Sequence, residues 1–195
     1  KKNIASEILI GALTSTNESP LKKAVLETGL CEEMATVPYD SVKQNFVVFE
    51  FRNVKDGKCD ELRERFNSIV SDIVKTGIDR KLLEATLNNL EFKVREKDFG
   101  SAPKGIVYAM NILASTLYGG DPTSALSFSE CFNELRDALS ENYYEEVLSS
   151  VILENEHRAA LIMTPSATLG EKRTNREKAE LAKIKSFLHE SERNP

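Results

Sequence analysis

Apolar residues recur at helical spacing from the first positions of the chain. Ile4, Ile8, Leu9 and Leu13 fall on one face and predict a helix over residues 2–13. The polar run "TSTNES" then reads as a loop, and a second helix starts behind it. Ser19 suits its N-cap, Pro20 its first position and Gly29 its stop. The pattern next changes period. Residues 34–38 and 45–53 read as strands joined by the polar stretch "YDSVKQ". The segment "NFVVFEF" is β-branched and aromatic, and its almost unbroken apolar run predicts burial on both faces.

A series of helices follows. Leu62, Phe66, Ile69, Val70, Ile73 and Val74 form one stripe, ended by Gly77. Asp79 is placed to cap the next helix, whose stripe is Leu83, Leu87, Leu90 and Val94. Pro103 opens another, with Ile106, Val107, Met110, Leu113, Ala114 and Leu117 expected to face inward, and "YGGDP" ends it. Shorter helices are expected near 127–139 and over 142–153, the latter capped by Asn142. "HRAALIM", residues 157–163, reads as a third strand, "TPSATLG" as a linker, and 171–190 as a polar helix with a thin stripe at Leu181, Ile184 and Leu188.

Three strands against several helices predict an α/β fold of the α+β sandwich kind, with a partial, antiparallel-rich sheet packed on helices. The chain opens at Lys1 already inside an apolar-periodic segment, so the domain is expected to be incomplete at its start, with strands preceding Lys1. The expected division is a domain over 1–166 and the beginning of a helical linker over 167–195. The narrow stripe of the last helix predicts that it projects, or packs on something outside this chain.

Composition narrows the function. With 41% hydrophobic and 29% charged residues the chain is of ordinary globular type. Its net charge of −5, with Lys and Arg scattered, argues against nucleic acid as a partner, which needs a basic stripe. No apolar run approaches the length of a membrane span. Cys31, Cys59 and Cys131 are odd in number and widely spaced, which points to reduced thiols in an intracellular setting. A nucleophilic cysteine would need a base, but His157 lies in the strand-like segment and His189 in the polar tail. A zinc-peptidase helix needs two histidines one turn apart beside a glutamate, and the chain has no such motif. It also lacks a Gly-x-Ser-x-Gly elbow, and its glycine-containing breaks lie between helices rather than after a strand.

One charged stretch remains, "NNLEFKVREKDFGSAPKG", residues 88–105. On a helix beginning at Arg80, the residues Glu84, Asn88, Glu91 and Arg95 share a face, with Glu91 and Arg95 in the favoured order for an ion pair. That face reads either as solvated surface or as a polar seam against a neighbouring element.

The order of the segments carries a resemblance. "SPLKKAVLETGL", a hairpin ending "NFVVFEFRNV", "GIDRKLLEATLNNLEFKVRE", "GSAPKGIVYAMNILASTLYGGDP" and "NEHRAALIMTPS" together resemble the second domain of pitrilysin/insulinase-type zinc metallopeptidases. Within that clan the pattern is most similar to the presequence protease/falcilysin subfamily. The residues carrying it are Ser19, Pro20, Asn88, Glu91, Arg95, Glu96, Gly100, Pro103, Gly105, Asp121 and Pro122. The resemblance implies a metallopeptidase LuxS/MPP-like fold and a non-catalytic, chamber-wall role, with no catalytic, metal or assigned substrate-binding residue in this chain. Zinc is implied in the parent protein's first domain. The implied partners are the catalytic domain, the second half of the same parent chain, and unfolded peptides, with neither nucleic acid nor membrane among them. The implied location is intracellular: cytoplasmic in a bacterium, the mitochondrial matrix or another organelle in a eukaryote. An inactive scaffold or assembly subunit of the same clan is the alternative. Under either reading, Glu91 and Arg95 are expected to position a helix, and the Gly100–Gly105 break to let the next helix dock.

Overall fold

The computed structural model describes residues 1–40, 42–96, 100–125 and 128–187. The chain divides into two compact units, Lys1–Arg158 and Ala159–Pro195. In the first unit, helix α1 (Lys2–Thr14) is surrounded by other elements. Its Ala5, Ile8, Leu9, Ala12 and Leu13 are all buried, as the apolar spacing requires. Helix α2 (Pro20–Glu27) places Leu21 and Val25 beside it. Strands β1 (Glu33–Tyr39) and β2 (Phe46–Arg52) form an antiparallel hairpin in which Val37 faces Val48 and Tyr39 faces Phe46.

Helices α3 (Cys59–Thr76) and α4 (Arg80–Glu96) contribute Leu62, Phe66, Val70, Leu83 and Leu87 to the same core. Between them Gly77 takes φ 83°, a left-handed conformation that favours glycine and ends α3. Asp79 then caps α4, its Oδ1 accepting from the Lys81 amide at 2.9 Å. After α5 (Lys104–Thr116) and a 3-10 turn over Pro122–Ala125, α6 (Ser129–Asp137) brings in Phe132 and Leu135. Helix α7 (Tyr143–Leu148) adds Tyr144, Val147 and Leu148, and continues into a π-helical turn, Ser149–Leu153. The second unit contains α8 (Leu169–Phe187), none of whose residues is buried. Leu181 and Ile184 are exposed on it, and Leu188 lies outside the described residues.

The architecture is therefore helix-rich with a small two-stranded antiparallel sheet. Three expectations need correction. Residues 157–163 form no strand, and Leu161, Ile162 and Met163 are 85%, 61% and 81% exposed. Strand propensity is realised only against a ladder partner, and the only sheet among the described residues is the β1–β2 hairpin. Next, β2 is not covered on both faces. Phe49 and Phe51 pack on Phe66, with ring centroids 4.9 and 5.6 Å apart, whereas Phe46 and Val48 are exposed on the opposite face. Third, the apolar side of α5 does not point into a core. Ile106, Met110, Leu113 and Leu117 are exposed, and no residue of α5 is buried. The helix packs mainly on the 3-10 turn that follows it, so its periodicity fixes its conformation but not its cover.

Two outcomes follow from this distribution of burial. In urea unfolding of the chain, Leu87→Ala is expected to lose about 2–5 kcal/mol, whereas Leu113→Ala on α5 stays within about 0.5 kcal/mol. The second concerns Tyr144, buried with its hydroxyl donating to the Leu135 carbonyl at 2.9 Å. Burial pushes its phenol pKa from 10.0 up to about 12. The fold holds the neutral phenol, so this contribution is complete below pH 10 and is lost as pH rises towards 12. Tyr144→Phe should flatten the decline of unfolding free energy between those values, by at most about 2–3 kcal/mol, while costing about 1 kcal/mol at neutral pH.

Candidate functional site

The charged face of α4 meets α6. Arg136 of α6 donates from Nη1 to Asn88 Oδ1 at 2.7 Å and from Nη2 to Glu91 Oε2 at 2.6 Å. The other oxygen of Glu91 accepts from Arg95 Nε at 2.8 Å and pairs with its Nη2 at 2.6 Å. The Glu91 side chain is only 14% exposed, so a single carboxylate is held between two guanidinium groups at a helix–helix contact. Asn88, Glu91 and Arg95 thus come together as one cluster, and Arg136 completes it. Sequence reasoning missed Arg136 because its partners lie more than one element away. Nothing local in "FNELRD" marks that arginine as a bridge.

The remaining family-pattern residues lie elsewhere. Ser19 precedes α2, but its hydroxyl makes no cap bond. It accepts instead from the Thr16 amide at 3.1 Å, closing the preceding turn, while its carbonyl accepts from Lys23. Pro20 occupies the first position of α2, where a missing amide proton costs nothing. Glu96 ends α4 and is exposed. Gly100 has φ 58°, and the Pro103 carbonyl accepts from Ile106 and Val107 to start α5. A Cβ at Gly105 would meet nothing within 4 Å, so this glycine does not mark a close docking contact. The expectation that the Gly100–Gly105 break docks the next helix is corrected accordingly, because α5 lies exposed. Asp121 accepts from the Thr123 amide at 2.8 Å and from its hydroxyl at 2.7 Å, which together hold its carboxyl below the usual range. This bonding shapes the turn at Pro122.

A second bridging carboxylate had no sequence signal. Glu145 of α7 is buried, its Oε1 accepting from the Ile78 amide at 2.9 Å and its Oε2 from Arg80 Nη1 at 3.2 Å. It ties α7 to the turn between α3 and α4. It also lines an open cleft of about 1020 Å³ with Lys75, Arg80, Glu146, Ser149 and Glu154. Within the cleft the Ser149 hydroxyl donates to Glu154 at 2.7 Å across one helical turn, a local bond with no histidine in the lining.

Among the described residues no three His, Cys, Asp or Glu side chains gather where they could hold a metal ion. His157 is exposed, its amide donating to Asn155, and His189 lies outside the described residues. Among the described residues the donor set does not fit a peptidase zinc. Cys31, Cys59 and Cys131 are free thiols, and burial pushes that of Cys31 up, away from the thiolate. Among the described residues no helix is long and apolar enough to cross a membrane.

The α4–α6 seam predicts a coupled response. Glu91→Gln should destabilise the chain by about 1–3 kcal/mol, because a neutral amide cannot serve two guanidinium groups. In a double-mutant cycle with Arg136→Met, a coupling of about 1 kcal/mol is expected in chemical denaturation, and additivity would contradict the seam.

Known proteins match the chain throughout its length. It is 30% identical over 194 residues to Protein HypA of Clostridium perfringens, covering 100% of this chain and 20% of that protein. It is 25% identical over 185 residues to presequence protease 1, chloroplastic/mitochondrial, of Arabidopsis thaliana, covering 92% of this chain and 17% of that protein. The mitochondrial presequence protease of Mus musculus is 23% identical over 178 residues, with 89% and 17% covered. No protein-family model matches. The chain spans about a fifth of the length of the curated relatives it matches. Over about nine-tenths of its length, the chain is homologous to one segment of the pitrilysin-like presequence proteases.

Proposed function

We propose that the chain serves as a non-catalytic, LuxS/MPP-like wall segment of a zinc-dependent peptidase that degrades peptides in a closed chamber. The observation that carries this reading is the match to presequence proteases across 92% of the chain in one relative and 89% in another. The chemistry of the chain supports it. Among the described residues the sequestered carboxylates Glu91 and Glu145 are engaged by arginines and a backbone amide at helix contacts, where they act as braces. In this reading zinc belongs to another segment of the parent protein. The partners of this chain are then the catalytic domain, the second half of the parent chain, and unfolded peptides confined by the wall. The corresponding location is intracellular, in an organelle for a eukaryotic parent, as the relatives' names say of them, and in the cytoplasm for a bacterial one.

The reading has a direct test. Purified chain is expected to hold far less than one zinc per molecule by elemental analysis and to leave a quenched fluorescent peptide uncut. Zinc near one per chain, together with chelator-sensitive cleavage, would overturn the non-catalytic assignment.

A further inference from the structure

We draw no further inference here: the strongest candidate, the exposed apolar face of α5 with Ile106, Met110, Leu113 and Leu117, carries none, because nothing in the structure shows what covers it.

Discussion

Burial of α1 is the constraint on which the first unit depends. Its apolar face is wide enough to meet α2, α4, α7 and β1 at once, and Ala5, Ile8, Leu9, Ala12 and Leu13 are all nearly or wholly removed from water. The close approach to α4 is set by Gly11. A Cβ there would stand 3.1 Å from the Thr86 methyl, tighter than ordinary packing. Glycine inside a helix costs about 1 kcal/mol against alanine, so this position exchanges helix propensity for interhelix distance. Once α1 and α4 are that close, Leu83 and Leu87 fall fully inside, and α6 and α7 close the core with Phe132, Leu135 and Tyr144.

The charged residues follow from that packing. Helices drawn together by apolar stripes bring their polar margins into contact, where a half-desolvated carboxylate must be paired. Glu91 resolves this between α4 and α6, and Glu145 between α7 and the α3–α4 turn. Each carboxylate is satisfied from two directions. The geometric demand of a group so held fixes helix orientation. Both carboxylates therefore act as bracing in the fold.

How much of this was legible in the sequence depended on the range of the interaction. The stripes of α1, α3 and α4, the Asp79 cap and the Gly77 stop depend on neighbours within a turn or two, and the structure places them as the spacing predicts. Tertiary partners carried no local signal. Arg136 completes the Glu91 cluster from another helix, Glu145 reaches across to Ile78, and the Ser19 hydroxyl turns back to Thr16 rather than forward into its helix. Periodicity also names an apolar face without naming its cover. That is why α5 and residues 157–163 read as core elements yet lie exposed. The seam residues Asn88, Glu91 and Arg95 could be placed on one face, but whether that face was wet or paired depended on α6.

The contrast between α5 and α8 carries this argument one step further. Both helices are exposed, but α8 is lined with Lys, Arg and Glu, the composition of a helix at rest in water. From Gly105 to Leu117, α5 carries no charged residue, and Ile106, Met110, Leu113 and Leu117 repeat along it at alternating steps of four and three. That spacing is the narrow seam by which one helix packs on another, and valine and alanine beside it broaden the apolar surface. The outer face of the hairpin, with Val37, Val48 and the stacked Tyr39 and Phe46, is apolar in the same way. Apolar surface of this kind, on a chain with 29% charged residues, is suited to contact with other polypeptide rather than to solvent.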